Sequence, residues 1–420
     1  MLGILVCFSI TLFGQDKIKR YIQDNTVPIR SIQIADTNYS DLEHIGNAIG
    51  ESRIVMLGEQ DHGDAPTFLA KARLVKYLHE KMGFNVLVFE SDFYGLTGAY
   101  EEALNGRMLL DSVIEGNLFP MWTMCQQFSG LKNYVLQCSR NGNPIHLAGI
   151  DQQFHGQYSL QYFPQRLDSF LVATGIPVTN TAEYKILTPY FYTITYYSGR
   201  QQTYTKHEEI NNLIKLTDTI LAQLNSRTNI DSFWLMAVKT FQSACKHQVL
   251  RNYRAYASTF IERDKQMADN LAWLSTVKYP NEKLIVWAAN GHISRNSLDN
   301  IEPSGMRHPS LGNYFVQKPG FANTTYVLGF TSYEGQAGRT TKSETYALPP
   351  ANPKSAGSWM NKKGYDFAFI DFKKFNMANP KSKTKFLMSG NSHFPQKNNW
   401  TNAFDGMFFI KKMYACGIME

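Results

Sequence analysis

The sequence predicts an α/β fold: a central, mostly parallel sheet flanked by helices, with a large helical insertion acting as a cap. Three observations carry that expectation. Five short, nearly continuous apolar runs, each ending in polar residues, recur along the chain, as strands buried on both faces require. The first two flank a stretch of helical periodicity, which makes a βαβ unit. Between Asp151 and Tyr279 glycine nearly vanishes and apolar residues recur at helical spacing.

The chain opens on the apolar run Leu2–Phe13, too short to span a bilayer as a helix. It reads as the h-region of a secretory signal peptide over residues 1–15, cleaved near Gly14 or Gln15, and so as a mark of export to the periplasm or beyond. No Lys or Arg precedes the run and Leu12-Phe13-Gly14 is not a small-residue cleavage site, so a buried N-terminal segment is the other reading. Cys7 is no lipoprotein anchor, because Val6 is too large for the position before a lipidated Cys.

Residues 16–150 form the first part of the core. Ile54-Val55-Met56-Leu57 is its first strand and Val86-Leu87-Val88-Phe89 its second. Between them Phe68, Ala72, Val75 and Leu78 fall on one helical stripe, and Gly83 stands where a C-terminal cap belongs. Ile145-His146-Leu147-Ala148 is the third strand. The insertion, 151–279, carries Ile210, Leu213, Ile214, Leu216 and Leu221 at helical spacing, then a second such stretch over 260–274. The aromatic residues dense from Tyr190 to Tyr197 read either as core or as an apolar wall for a substrate. Residues 280–420 return to the core with strands Leu284–Trp287 and Tyr326–Phe330. Phe367–Ile370 and Met407–Ile410 read as edge strands, and polar stretches near 349–357 and 376–399 as surface loops.

The chain has 420 residues, 43% hydrophobic and 18% charged, which is a globular composition. Its formal charge of +7 is spread without a basic block, so no nucleic-acid face is expected. Of five Cys, none forms a C-x-x-C pair; those after Cys7 read as packing thiols, with a single pair left open if the chain is exported.

In open parallel sheets, ligands bind beyond the carboxyl ends of the strands. Four strand ends carry chemistry here: Gly58-Glu59-Gln60-Asp61-His62-Gly63-Asp64, Glu90-Ser91-Asp92, Gly149-Ile150-Asp151 and Asn290-Gly291-His292. One such residue is ordinarily a cap or turn; four endings bring two His and several carboxylates to one edge. Imidazole titrates near neutrality, and a neighbouring carboxylate fixes its tautomer and raises its basicity. Gly58 and Gly63 let the backbone turn sharply around His62. No G-x-S-x-G, phosphate-loop, G-x-G-x-x-G or H-E-x-x-H motif occurs. No cofactor is called for, although the spacing of Glu59, His62, Glu90 and His292 also allows a divalent metal.

Taken in order, these residues resemble the erythromycin esterase family. The pieces are Gly58-Glu59-x-x-His62, Gly83-Phe84-Asn85 leading to Phe89-Glu90, and Trp122 ahead of Gly149-Ile150-Asp151. They continue with Arg263-Asp264, Met267 and Asn270 before Trp287-Ala288-Ala289-Asn290-Gly291-His292, then Leu328 through Gly335, and finally Phe404-Asp405-Gly406. The resemblance runs from about residue 40 to 412. It implies hydrolysis of a macrocyclic lactone ester by water, with a His general base and no acyl-enzyme. The family's base falls on His62, its supporting carboxylates on Glu59 and Glu90, and its cation on Lys71. In this reading Glu90 holds the imidazole, and His292 polarises the carbonyl or protonates the leaving alkoxide. Asp92, Asp151 and Asn290 contact substrate. Family members often carry a first His where Ala289 stands, so weak or absent cleavage of erythromycin is expected.

The leading reading is thus a hydrolase acting on a small-molecule ester or lactone. The alternatives are a metal-dependent hydrolase of the same fold, or an envelope protein that processes or binds polysaccharide. No stable membrane span is expected, and the oligomeric state is not legible.

Overall fold

The computed structural model describes residues 15–295, 308–342 and 344–419. The expected signal run Leu2–Phe13, with Cys7, lies outside them. The chain divides into two compact units. One comprises Met1–Leu87, Pro120–Ile145 and Lys283–Glu420, the other Val88–Phe119 and His146–Glu282.

In chain order the strands are β1 (Val27–Ile29), β2 (Ile54–Leu57), β3 (Phe84–Asp92), β4 (His146–Asp151), β5 (Lys283–Trp287), β6 (Thr325–Gly338), β7 (Thr345–Ala347), β8 (Phe367–Asp371), β9 (Phe386–Met388), β10 (Gln396–Asn398) and β11 (Gly406–Met413). β3 passes from the first unit into the second, and β4 belongs to the second. Within the first unit the sheet order is β1-β8-β11-β6-β2-β5, followed by the opening residues of β3. β2 lies parallel to β5, with Ile54 beside Leu284 and Leu57 beside Trp287, and parallel to β6, with Leu57 beside Leu328. β11 is parallel to β6, while β8 runs antiparallel to β11 and β1 antiparallel to β8. All four residues of β2 are buried, as a strand covered on both faces demands.

The two late runs correct the expectation that they form edges. β8 and β11 stand inside the sheet, and the outer place falls to β1, whose three residues are too few to show a hydrophobic run. Between β2 and β3 runs α1 (Ala65–Met82), with Pro66 in its first turn. Phe68, Ala72, Val75 and Leu78 are all buried, and Gly83 closes the helix in the left-handed region at φ 71°. The cysteines depart from a purely packing role. Cys125 and Cys416 form a disulfide across 291 residues, while Cys138 and Cys245 are buried free thiols.

The second unit holds the end of β3, β4 and the helices α2 (Phe93–Leu104), α3 (Gln157–Ala173), α4 (Pro189–Gly199), α5 (His207–Asn225), α6 (Ser232–Asn252) and α7 (Tyr256–Trp273). From α3 to α7 they fill the stretch read as a helical insertion. Ile210, Leu213 and Leu216 lie on the buried face of α5, joined by Ile220 and Leu224. The aromatic run divides by face. Phe191 packs on Phe241 at 5.4 Å between ring centres, whereas Tyr192 and Tyr196 are exposed. Among the described residues no helix is long and apolar enough to cross a membrane.

Candidate active site

The parallel register of β2, β5 and β6 sets their carboxyl ends side by side, and the loops that follow are bolted together. Gly58 N–H donates to Leu328 O at 2.9 Å, and Asn290 N–H to Glu59 O at 2.8 Å. A side chain at residue 58 would sit 1.8 Å from Asn290 Oδ1, so only glycine fits where these two loops meet. The same holds at Gly63, where an added Cβ would lie 1.7 Å from Gly338 O.

Glu59 is fully buried and accepts three hydrogen bonds. Oε1 takes His62 Nδ1 at 2.7 Å and Trp122 Nε1 at 3.1 Å; Oε2 takes Lys71 Nζ at 2.7 Å. Lys71, equally buried on α1, stands 4.1 Å from the centre of the Trp287 ring, a cation–π position. Burial alone would push the Glu59 carboxyl up. The Lys71 ammonium, then His62, outweigh burial and hold Glu59 below the usual carboxylate range. His62 retains 13% of its side-chain exposure and meets the Trp122 ring edge-on at 5.9 Å. With the Nδ1 proton directed at an ionised carboxylate, the Nε2 lone pair is left to accept a proton.

The loop that carries His62 is braced from several sides. Asp61 accepts from His62 N–H at 2.8 Å and from the Tyr346 hydroxyl at 2.8 Å, and pairs with Arg339. Asp64 Oδ2 accepts from Asp61 N–H at 3.0 Å, and Gln60 Nε2 donates to Ser389 O and Ser392 O at 2.7 and 3.1 Å. His292 lies in α8 (Asn290–Ile293), directly after β5, where its N–H donates to Ala289 O at 3.0 Å.

The Nδ1 bond of His62 thus goes to Glu59. Three residues in a tight loop bring Glu59 onto Nδ1, whereas Glu90 belongs to a cluster in the second unit. There Arg263 of α7 donates Nη2–H to Glu90 at 2.8 Å and to Asp151 at 2.6 Å, with Nε reaching both Asp151 oxygens. Burial opposes the guanidinium charge, but Asp151 and Glu90 raise its pKa further.

Asp92 and Asn290, read as substrate contacts, each hold backbone groups. Asp92 accepts Gly95 N–H at 2.8 Å and Gly156 N–H at 3.0 Å. Burial outweighs those bonds and raises its pKa to about 7. Asn290 is fully buried, donating to Phe330 O and Gly390 O at 2.7 and 2.6 Å and accepting from Phe330 N–H at 3.1 Å. His155 stacks on Phe119 at 3.6 Å and meets the Ser91 hydroxyl at 3.2 Å; burial, opposed by Asp151, lowers its pKa to about 4. Among the described residues no group of three or more His, Cys, Asp and Glu side chains is placed to hold a metal ion.

Trp122 as a donor to Glu59, Arg263 as the partner of Glu90 and Asp151, and the braces at Arg339, Tyr346 and residues 389–393 had no assigned role in the sequence reading. Their partners lie tens to hundreds of positions away, and no local spacing announces them. For Trp122 and Arg263 the available signal was their place in the ordered resemblance.

Comparison with known proteins gives a consistent family. The erythromycin esterase family model matches residues 79–413. Similar proteins include the candidate hydrolase YbfO of Bacillus subtilis (strain 168), 24% identical over 84% of this chain and 82% of that protein. They also include erythromycin esterase type II of Escherichia coli, 22% identical over 94% and 98% of the two chains. Among solved structures, an open-conformation mutant of the erythromycin esterase EreC superposes with a TM-score of 0.68 at 16% identity, over 94% of this chain and 99% of that one. The family match begins beyond the loop that carries Glu59 and His62 and beyond Lys71.

Proposed function

This chain belongs to the erythromycin esterase family and is a hydrolase of that family; from that premise we propose that it cleaves a small-molecule ester or lactone with water activated by His62. The observation that carries the reading is the 2.7 Å bond between His62 Nδ1 and the buried Glu59 carboxylate, itself held by Lys71 and Trp122. That bond fixes the tautomer in which Nε2 takes a proton from water as the oxygen attacks the ester carbonyl carbon. The tetrahedral intermediate then expels the alkoxide, which takes a proton from the His62 imidazolium, or from His292 while His62 gives its proton to solvent and His292 is reprotonated; the products are the alcohol and a carboxylic acid that ionises to solvent. Glu59 stabilises the imidazolium formed on the way without itself leaving the ionised state. Ala289, where relatives of this type often have His, turns the substrate choice away from erythromycin.

Export belongs to the same reading. The apolar N-terminus suggests it, and a disulfide is at home in an oxidising compartment.

The test is turnover of simple nitrophenyl esters by His62→Ala and His62→Asn. General-base loss is expected to lower the rate by about 100- to 10,000-fold, with the melting temperature little changed because His62 is only part-buried. Near-normal turnover in either variant overturns His62 as the base.

A further inference from the structure

A second imidazole, His393, lies in the same unit as His62 and is buried together with Asp64. Its Nε2 meets Asp64 Oδ1 at 2.9 Å and its Nδ1 meets the Ser332 hydroxyl of β6 at 3.0 Å. Burial opposes a charge on either partner. The Asp64 carboxylate and its hydrogen bond, with Asp61 beyond, nevertheless raise the imidazole above its ordinary value. The Tyr346 ring faces His393 at 6.1 Å.

What this pair touches is the loop Glu59–Asp64. The other oxygen of Asp64 accepts Asp61 N–H at 3.0 Å, and the Asp61 carboxylate accepts His62 N–H at 2.8 Å. From the His393 side, the backbone of the same segment takes the Gln60 amide at Ser389 and Ser392, the Asn290 amide at Gly390 and the Thr331 hydroxyl at Ser389. Gly390 lies flat against Trp400, where an added Cβ would fall 2.3 Å from the ring. The segment is thereby fixed to the body of the unit, and the loop is fixed to the segment.

We propose that His393 is a positioning residue: through Asp64 it holds the Glu59–Gly63 loop in the shape that presents His62 to water. The proposal rests on the reading of His62 as the base. Without the His393 donor, the buried Asp64 carboxylate loses its partner and must take up a proton or turn away, and Asp61 N–H loses its acceptor. The loop bounded by Gly58 and Gly63 then has freedom that a catalytic imidazole cannot tolerate, since a misplacement of about 1 Å can cost about 100-fold in rate.

His393→Asn keeps a polar group near Ser332 but no donor to Asp64. His393→Gln places an amide N–H near the Nε2 position and restores it. Three readouts apply: ester turnover, melting temperature, and amide hydrogen exchange over residues 59–64. In His393→Asn, kcat is expected to fall about 100-fold with KM changed less than about threefold, and loop exchange to quicken. His393→Gln should recover both most of the way. Asp64→Asn breaks the same link from the other side without leaving a buried carboxylate. It is the variant to read if His393→Asn does not fold, and the same loss of kcat is expected.

Unchanged loop exchange in a folded His393→Asn overturns the proposal whatever the activity. So does a melting-temperature loss shared by Asn and Gln with wild-type loop exchange and normal turnover of the folded fraction. Quickened exchange with normal turnover leaves His393's hold on the loop standing and removes His62 from the chemistry, so the two ideas fail separately.

Discussion

At the residue scale the centre of the molecule is a buried Lys–Glu pair with an imidazole attached. Lys71 and Glu59 are fully buried, and each is tolerable there because of the other. Two indole rings complete their surroundings: Trp287 under the ammonium and Trp122 donating to the carboxylate. Lys71→Met removes the largest influence opposing burial at Glu59 and leaves an uncompensated carboxylate. The cost expected is about 3–5 kcal/mol of stability, typical of breaking a buried pair from one side. The sign of the pH effect follows. The wild-type Glu59 pKa is depressed, so its contribution to stability is present above the unfolded carboxylate value and lost as pH falls through the folded one. In the variant burial pushes Glu59 up, so it protonates nearer neutrality and stops accepting the His62 Nδ1 proton. The acid limb of kcat/KM should therefore move to higher pH. A variant with wild-type melting and an unmoved acid limb would show that the pair does not govern His62.

At the element scale the strand ends, more than the strands, decide what the chain can do. The β2–α1 connection carries Glu59 to Asp64, and its two glycines admit the Asn290 side chain and the Gly338 carbonyl where no other residue fits. In the second unit the connection from β4 to α3 carries His155, stacked on Phe119 and held neutral by burial with a pKa near 4. Because that value lies below the ordinary 6.5, the unfolded chain binds the extra proton between the two. Stability from His155 is thus complete above about pH 6.5 and lost as pH falls towards 4. Asp92 acts in the opposite sense. Its folded value near 7 exceeds the unfolded 3.8, so its contribution is complete below about pH 4 and lost as pH rises through 7. The informative quantity is the difference between wild type and His155→Phe in urea melts from pH 4 to 7.5. The wild type should gain on the variant up to about pH 6.5 and then stay level; a difference independent of pH would mean that folding leaves the proton affinity of His155 unshifted, and would refute its burial as a neutral ring.

At the scale of the whole molecule the C-terminal segment returns to the loop that carries His62. Tyr414 O accepts Ala65 N–H at 3.1 Å, Cys416 N–H donates to Gly63 O at 2.9 Å, and Cys416 is bonded to Cys125, three residues after Trp122. One covalent link thus ties the Trp122 segment to the tail that lines the His62 loop. Cys125→Ser or full reduction is expected to cost about 2–5 kcal/mol and to lower turnover, because the Trp122 bond to Glu59 loses its tether. Thermal melts with and without reductant, with free thiols counted, decide it; unchanged melting after verified reduction refutes the role.

How much of this was legible follows from the range of the forces involved. Strands β2 to β6 and helix α1 could be read because a strand buried on both faces must be continuously apolar and an amphipathic helix must repeat near 3.6 residues; both are local patterns. The edge strand β1 was missed because three residues carry no period, and β8 and β11 were misplaced because strand order is set by pairing across the sheet, not by composition. The Glu59–His62 centre could be read from its place after a strand between two glycines. Which carboxylate meets the imidazole could not, and neither could the Cys125–Cys416 pair, the Arg263 cluster or the bond from His393 to Asp64. The sequence by itself determined the fold class, the family and the loop that bears His62, since those rest on short-range periodicity and ordered motifs. Only the tertiary structure decided the partners, because hydrogen bonds and ion pairs act over about 3 Å between residues that the chain separates by up to several hundred positions.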